Sequence, residues 1–176
     1  MAVRPGDAGG RRRRRVALYG NRIDGVDTGE QDELALENLV CAVRAAAAID
    51  GQGPDRAGRR GRALPAADPA DALAVADRVN AASGLANCTL LPDLYHLAVN
   101  GDEVAGVIGG HAARIGHVQI ADAPGRGEPG SGKLSIEPWL AELAAAGYDG
   151  WVGLEYKPAG ASADSFAWLR PDGGRA

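Results

Sequence analysis

Residues 117–129 read HVQIADAPGRGEP, and this stretch decides the fold. A short apolar run leads into polar residues and then into a loop that proline and glycine constrain. The same pattern recurs as WVGLEYKP at residues 151–158 and occurs earlier as CTLLPDLYH at residues 88–96. Each run carries one metal-capable oxygen side chain at its C-terminal end: Asp93, Gln119 or Glu155. This repetition is typical of part of a barrel enzyme, in which ligands bind at the strand ends.

Helical patterns alternate with the apolar runs. We predict strands at residues 16–19, 88–92, 115–121 and 151–155, and helices at 30–48, 69–83, 102–111, from Ser135 to a stop at Gly147, and at 162–169. The helix predictions depend on apolar residues that recur at spacings of three and four. Because strands and helices that alternate in units of about 30 residues form βα units on a parallel sheet, the sequence predicts an α/β fold.

Composition and charge exclude several classes of function. The 176 residues carry a net charge of −4 and a pI near 5.4, which argues against a nucleic-acid-binding protein. No apolar run reaches the roughly 18 residues of a membrane-spanning helix. Cys41 and Cys88 lie far apart and form no CxxC motif, so we expect two free thiols in a reducing compartment. We therefore predict a cytoplasmic protein with no nucleic-acid or membrane partner.

Two segments depart from the alternation of strands and helices. Residues 1–15 contain a run of arginines and no apolar period, so we predict a disordered basic tail. Residues 52–65 are interrupted by glycine, proline and arginine, and we expect no buried parallel strand there. The predicted organisation is a tail at 1–15, a partial barrel at 16–171 with an irregular segment at 52–65, and a short tail at 172–176.

The oxygen side chains at the strand ends point to metal-assisted chemistry. In a (β/α)8 barrel the active site lies at the C-terminal ends of the strands, where Asp93, Gln119 and Glu155 stand. A hard cation such as Mg²⁺ or Mn²⁺ prefers carboxylate and amide oxygens and polarises a substrate carbonyl and its neighbouring hydroxyl. A carboxylate beside the cation then moves a proton between adjacent carbons, as in aldose–ketose isomerisation. The alternative is that each residue is an isolated polar side chain at a strand end.

Four further residues are candidates for contact with a substrate. His96 and His117 lie close in sequence to the strand-end residues and could donate hydrogen bonds to a substrate. Arg126 and Glu128 belong to the loop, and we expect this loop to direct a charged side chain towards the site. Residues 125–130 also fit the pattern GxGxxG, but the proline and glycines that follow prevent the immediate helix that a dinucleotide site requires.

Taken together, these stretches resemble the hydroxypyruvate isomerases of the xylose-isomerase-like TIM-barrel superfamily. The resemblance covers residues 16–50 and 66–171. It is carried by ALYGNR at 17–22, DLYH at 93–96, HVQIAD and PGRGEP within 117–129, GLEYKP at 153–158 and WLRP at 168–171. It implies a partial (β/α)8 barrel, a setting in cytoplasmic glyoxylate metabolism, and a small hydroxy or oxo acid as the substrate.

The resemblance also implies a mechanism. The family binds a divalent metal through Glu, Asp, Gln and Glu, and the last three correspond to Asp93, Gln119 and Glu155. Two of the glutamates are thought to move the proton, and Glu155 corresponds to the second of them. The implied reaction interconverts hydroxypyruvate and 2-hydroxy-3-oxopropanoate (tartronate semialdehyde). Isomerisation of a related acid such as 2-oxo-tetronate, or epimerisation of a ketose, remains an alternative.

The chain departs from the family pattern in two places. No glutamate lies between Glu37 and Glu103, where the first metal ligand of the family is expected, and nothing before Tyr19 matches the first three strands. A complete barrel needs about 250 residues, so we expect at most five βα units here. Our hypothesis is that residues 1–15 and 52–65 are out-of-frame translation of GC-rich coding sequence, or the result of a mispredicted gene start.

The missing glutamate predicts impaired chemistry. Without it, metal binding should be weaker and one arm of the proton shuttle absent, so we expect little or no turnover. Open sheet edges also favour association with another chain, so a homo-oligomer and a non-catalytic fragment or pseudoenzyme remain alternatives. The DNA-repair endonucleases of the superfamily hold three metals in histidine-rich sites, and the three histidines here are too few.

Overall fold

The structure is a computed structural model that describes residues 2–3, 15–16, 22–50, 62–65 and 69–169. Within these residues the strands are β1 (Ala2–Val3), β2 (Arg15–Val16), β3 (Arg62–Pro65), β4 (Cys88–Leu91), β5 (Val118–Ile120) and β6 (Val152–Leu154). The α-helices are α1 (Thr28–Asp50), α2 (Pro69–Ser83), α3 (Leu94–Asn100), α4 (Val104–His111) and α5 (Ile136–Ala145). Contacts divide the chain into a first unit, Arg11–Leu91, and a second unit, Pro92–Ala176 with Met1–Gly10.

The first unit is a parallel sheet with two helices. Strands β2, β3 and β4 pair in that order and all run parallel. Helices α1 and α2 contact each other, and α2 contacts β4. The apolar spacing that predicted these helices places one face of each in a common buried cluster. That cluster consists of Leu39, Val43, Ala76, Val79 and Cys88.

Asn80 fastens helix α2 to strand β4. Its Oδ1 accepts a hydrogen bond from the Cys88 amide at 2.9 Å, and its Nδ2 donates to the Cys88 carbonyl at 3.0 Å. One side chain therefore satisfies both backbone groups of a buried residue, which would otherwise need other partners.

Strand β3 corrects one expectation about residues 52–65. Arg62–Pro65 pairs in parallel with Cys88–Leu91, although we expected no buried parallel strand in this segment. Backbone pairing to β4 needs no particular side chains, and Pro65 stands at the strand end, where a missing N–H is tolerated. Residues 52–61 lie outside the described residues, so the reading-frame hypothesis stays a prediction. The same holds for the disordered tail at 1–15, of which only β1 and Arg15 are described.

The second unit contains the stretches that decided the fold. Its sheet has the order β1–β6–β5, in which β5 and β6 are parallel and β1 runs antiparallel to β6. The parallel pair agrees with the prediction, whereas the antiparallel β1 was not expected. Buried apolar side chains from the sheet and three helices form the core: Leu94, Leu97, Val104, Ile108, Val118, Ile120, Ile136 and Leu143. None of the helices in the described part of the chain is long and apolar enough to cross a membrane.

Helix α3 was not among the predicted helices. Asp93 caps its N-terminus through hydrogen bonds to two backbone amides, and Gly101 ends it at a φ of 89°. The helix has only seven residues, which is too short for a full set of apolar repeats.

The helix that we predicted at residues 162–169 is wrong except for a single 3-10 turn, Asp164–Phe166. Hydroxyl groups take the place of helical hydrogen bonds here. Ser165 donates through Oγ to the carbonyl of Ser162 at 2.8 Å, and Tyr156 donates through its phenol to the carbonyl of Ser165 at 3.0 Å. Such side-chain bonds compete with the helical backbone ladder, so the turn does not extend.

Candidate functional site

Backbone pairing in the second unit brings the three strand-end residues together. Asp93 forms a parallel bridge with Gln119, whose amide donates to the Pro92 carbonyl at 3.0 Å. The amide of Glu155 donates to the carbonyl of Ile120 at 3.1 Å. Asp93, Gln119 and Glu155 therefore follow one another along a single edge, as the strand-end pattern predicted.

Gly153 leaves room for two of the predicted site residues. It lies opposite Gln119 in the parallel pair of β5 and β6. A Cβ atom on Gly153 would stand 2.8 Å from Nε2 of His117 and 3.3 Å from Cγ of Gln119. Both side chains therefore lie on the face of β5 that Gly153 shares, because residues two apart in a strand point the same way. Glu155 is likewise two residues beyond Gly153.

Asp93 is a buried carboxylate with two separate tasks. Its side chain is 8% exposed. Oδ1 accepts hydrogen bonds from the amides of Tyr95 at 3.0 Å and His96 at 3.3 Å, which fixes the start of α3. Oδ2 lies 3.5 Å from Nη2 of Arg126 and 3.7 Å from Nε2 of His96. Only one oxygen of Asp93 is therefore directed at charged neighbours.

Arg126 joins the two carboxylates of the site. Its Nη2, which is 3.5 Å from Asp93, is also 3.1 Å from Oε2 of Glu155. Its Nε donates to the backbone carbonyl of Glu155 at 3.1 Å, and its guanidinium lies 5.5 Å from the ring centroid of Tyr95, within cation–π range. Its backbone has a φ of 59°, a left-handed conformation that side chains other than glycine rarely adopt. Asp93 and Glu155 are called the carboxylate pair below.

A second buried carboxylate, Asp122, organises the loop that carries Arg126. Asp122 is 1% exposed and accepts four backbone hydrogen bonds of 2.8–3.0 Å. The donors are the amides of Ala123, Gly130, Gly132 and Leu134. Burial alone raises the pKa of Asp122, but the four donors lower it by more, so its pKa lies below the ordinary value. An ionised Asp122 thus closes residues 122–134, called the Asp122 loop, on itself.

The Asp122 loop is also tied to the chain that follows β6. The amide of Lys157 donates to the carbonyl of Arg126 at 2.7 Å. The amide of Ala159 donates to Oε2 of Glu128 at 3.2 Å. The two predicted site residues of the loop are therefore fixed differently: Arg126 reaches the carboxylate pair, whereas Glu128 binds a backbone amide.

The predicted site residues thus form three groups. Arg126 and His96 lie beside the carboxylate pair, Gln119 and His117 meet over Gly153, and Glu128 holds the neighbouring loop. The roles assigned to them stay predictions. Sequence reasoning missed two residues on which the arrangement depends, Tyr95 and Asp122. For Asp122 a signal was present, because a loop rich in glycine has many backbone amides that need an acceptor.

A pocket of about 500 Å³ lies beside the Asp122 loop. Its lining combines the Asp122 loop, the start of α5 and the C-terminal turn, with Leu134, Ile136, Leu140 and Trp168 among its residues. None of the seven predicted site residues lines it.

The donor atoms at the strand ends suit a hard divalent cation. Among the described residues, no three or more His, Cys, Asp or Glu side chains form a group that could hold a metal ion. The carboxylate pair nevertheless converges on one atom of Arg126, and the amide of Gln119 supplies a third oxygen on the same edge. Carboxylate and amide oxygens are the ligands that Mg²⁺ and Mn²⁺ prefer, so the residues fit such an ion in type.

Residues 33–172 match the family model described as a xylose isomerase-like TIM barrel. The chain belongs to this family. A Streptomyces coelicolor protein provisionally named a hydroxypyruvate isomerase is 56% identical over 163 residues, which are 91% of this chain and 58% of that protein. A 2-oxo-tetronate isomerase of Cupriavidus necator is 41% identical over 93 residues, which are 52% of this chain and 35% of that protein.

Among solved structures, an AP endonuclease of family 2 from Brucella melitensis matches with a TM-score of 0.68 and 27% identity, covering 84% of this chain and 57% of that one. The family match and this likeness confirm the predicted α/β fold of the TIM-barrel type and the resemblance to the hydroxypyruvate isomerase family. The chain spans 58% of the length of the Streptomyces relative, so the activity of a whole protein is a matter for proposal.

Proposed function

We propose that the chain belongs to an isomerase that interconverts hydroxypyruvate and 2-hydroxy-3-oxopropanoate with the help of Mg²⁺ or Mn²⁺. The observation that supports this most is the convergence of Asp93 and Glu155 on a single guanidinium nitrogen, with Gln119 paired to Asp93 on the same edge. Two carboxylates and an amide at parallel strand ends supply a cation site and a proton-transfer base in one place.

The residues would divide the reaction between them. Asp93, Gln119 and Glu155 would hold the cation, which supplies polarisation of the substrate carbonyl and the adjacent hydroxyl when it is bound. Arg126 would bind the carboxylate of the acid, because a guanidinium matches a carboxylate through two parallel hydrogen bonds. His96 and His117 would donate hydrogen bonds to the substrate oxygens.

The chemical step needs one base beside the reacting carbons. The carboxylate of Glu155 would remove a C–H proton from C3 of hydroxypyruvate, and a proton would be returned to C2. The hydroxyl proton on O3 would pass to O2, so that C3 becomes the aldehyde and C2 carries the hydroxyl. No atom or electron is gained or lost overall, which is the balance that an isomerase requires.

Impairment of this chain is part of the proposal. The family pattern calls for a second glutamate as a fourth ligand and a partner base, and no glutamate lies between Glu37 and Glu103. A site with one base and three ligands should bind the cation more weakly and move the proton more slowly. We therefore expect little or no turnover by the chain alone.

Turnover of hydroxypyruvate tests the proposal. We would compare the purified chain with a chimera in which the N-terminal part of the Streptomyces relative precedes residues 67–176, with Mn²⁺ or Mg²⁺ present. The chimera should convert hydroxypyruvate, and Glu155→Gln in the chimera should lower kcat by about 10²- to 10⁴-fold, the usual contribution of a general base. Robust turnover by the unaltered chain would refute the impairment, and an inactive chimera would refute the assigned substrate.

A second candidate is isomerisation of 2-oxo-tetronate, which the similarity to the Cupriavidus necator protein of that name favours. This four-carbon acid offers the same carboxylate to Arg126 and the same neighbouring carbonyl and hydroxyl. The ratio of kcat/KM for the two acids, measured on the chimera, separates the candidates. A ratio that favours the four-carbon acid would replace the first proposal with the second.

A further inference from the structure

We infer that Arg126 holds the place of a divalent cation between Asp93 and Glu155, and that the guanidinium and the cation compete for this carboxylate pair. The inference rests on the proposed function, because it concerns the cation of that reaction. Its test measures cation binding instead of turnover, so the two can fail separately.

The competition follows from the atoms that are shared. One nitrogen, Nη2 of Arg126, is within ion-pair distance of both carboxylates, at 3.5 Å from Oδ2 of Asp93 and 3.1 Å from Oε2 of Glu155. These are the two oxygens that the carboxylate pair directs at a positive charge. The other oxygen of Asp93 already accepts two amides of α3 and cannot turn without uncapping that helix. A cation placed between Oδ2 of Asp93 and Oε2 of Glu155 would therefore occupy the position that Nη2 holds.

The two negative charges of Asp93 and Glu155 require a positive group between them. The side chain of Asp93 is 8% exposed, so water screens its charge poorly, and Glu155 adds a second negative charge nearby. Taking a carboxylate out of water is costly unless a partner of opposite charge lies beside it. Arg126 meets this need while no cation is bound. A divalent ion meets it with twice the charge, which favours exchange over simultaneous binding.

The remaining contacts of Arg126 do not use the carboxylate pair. Nε donates to the backbone carbonyl of Glu155, the ring of Tyr95 lies beneath the guanidinium, and the backbone carbonyl of Arg126 accepts from Lys157. None of these contacts involves Nη2 or a carboxylate oxygen of the pair. A guanidinium that is released but still anchored is suited to the carboxylate of an acid substrate, which links cation loading to recognition of the substrate.

Mn²⁺ titration of the full chain tests the competition. Arg126→Gln removes the competing charge, and we expect a Kd for Mn²⁺ about ten-fold lower than that of the unaltered chain, since the cation no longer has to break an ion pair. Lys133→Gln is the matched control, because Lys133 is an exposed cation of the same loop with no ion pair among the described residues. It removes one positive charge at a distance and should change the Kd by about two-fold or less.

A second measurement needs no variant and so does not depend on how Arg126→Gln folds. Phenylglyoxal labels free guanidinium groups, and mass spectrometry of the peptide that contains Arg126 gives its rate of labelling. We expect Mn²⁺ to raise that rate several-fold, while labelling of Arg22 in the first unit stays constant. Equal labelling with and without Mn²⁺, an equal or weaker affinity in Arg126→Gln, or no Mn²⁺ binding by any of the chains would each overturn the inference. If Arg126→Gln binds Mn²⁺ more tightly and Mn²⁺ speeds the labelling of Arg126, but the chimera does not turn over hydroxypyruvate, only the proposed function is overturned.

Discussion

Replacing Asp122 with asparagine should destabilise the second unit by about 2–6 kcal/mol, as the hydrogen bonds of the loop indicate. Asp122 is buried, and each of its oxygens accepts two backbone amides: Oδ1 those of Ala123 and Leu134, and Oδ2 those of Gly130 and Gly132. Asparagine keeps one oxygen and puts an NH2 group in place of the other. Whichever oxygen is replaced, two amides lose their acceptor and face a donor instead.

The magnitude follows from those two amides. A buried donor left without an acceptor costs about 1–3 kcal/mol, and hydrogen bonds to a charged acceptor are at the upper end of that range. The surrounding backbone has little freedom to find other partners. A Cβ at Gly132 would already overlap Oδ1 of Asp122 and the carbonyl of Ala123. The expected loss is a large part of the roughly 5–15 kcal/mol that stabilises an ordinary domain.

Tryptophan fluorescence during urea unfolding measures this loss. All three tryptophans, Trp139, Trp151 and Trp168, lie in the second unit, so their signal reports on the part of the chain that contains Asp122. The matched control is Asp164→Asn, which removes the same charge from an exposed position and should change the free energy of unfolding by about 0.5 kcal/mol or less. If Asp122→Asn costs no more than the control, the four amide bonds do not stabilise the loop as argued.

The stability difference between the unaltered chain and Asp122→Asn should depend on pH. Folding places Asp122 among four donors that lower its pKa more than burial raises it, so the net pKa is below that of the unfolded chain. The stabilisation from its charge is therefore complete above the unfolded-state pKa of about 3.9, and it is lost as the pH falls through the lower folded-state pKa. We expect the gap in stability between the unaltered chain and Asp122→Asn to be constant above about pH 5 and to narrow below about pH 4. A gap that widens on acidification would contradict the sign of the shift.

Two other substitutions test the packing around the strands. Gly153→Ala should push the ring of His117 aside and crowd Gln119. We expect Mn²⁺ binding to weaken several-fold while the free energy of unfolding changes by about 1 kcal/mol or less. An unchanged Kd for Mn²⁺ would mean that Gln119 is not part of the cation site. Asn80→Ala should cost the first unit about 1–3 kcal/mol, measured from the helical circular dichroism during urea unfolding, because both backbone groups of Cys88 lose their hydrogen bond to Asn80. A loss below that range would mean that other groups replace Asn80.

The strand-end positions of the site could be predicted because they depend on local pattern alone. The apolar runs before Gln119 and Glu155 form β5 and β6, and their parallel pairing places the residues after them at one edge. Period-two alternation then fixes which side chains share a face, as it does for His117 and Gln119. These are short-range rules, and the sequence satisfies them without ambiguity.

Contacts that depend on loop conformation could not be predicted in this way. Arg126 reaches Asp93 and Glu155 because the Asp122 loop folds back through hydrogen bonds to one buried carboxylate and because Arg126 itself adopts a positive φ. No periodic pattern of apolar residues predicts such a loop conformation. The helix cap formed by Asp93 was missed for a related reason: its position after β4 suggested a metal ligand, and its place before a short helix was not considered. The sequence carried a cap signal at each end of α3. Asp93 precedes its short apolar run, and Asn100-Gly101 ends it.

The carboxylate pair is asymmetric, and the asymmetry assigns the two members different tasks in the proposed reaction. The side chain of Asp93 is 8% exposed and is fixed by the amides of α3, whereas the side chain of Glu155 is 50% exposed and, among the described residues, forms its ion pair with Arg126. A locked carboxylate keeps a cation in place but cannot follow a proton from one carbon to the next. The more exposed side chain of Glu155, once it has exchanged its ion pair with Arg126 for the cation, would still be able to do so. Displacement of Arg126 would then both open the cation site and end the ion pair that holds Glu155, so that Glu155 would act as the base only when the cation is bound.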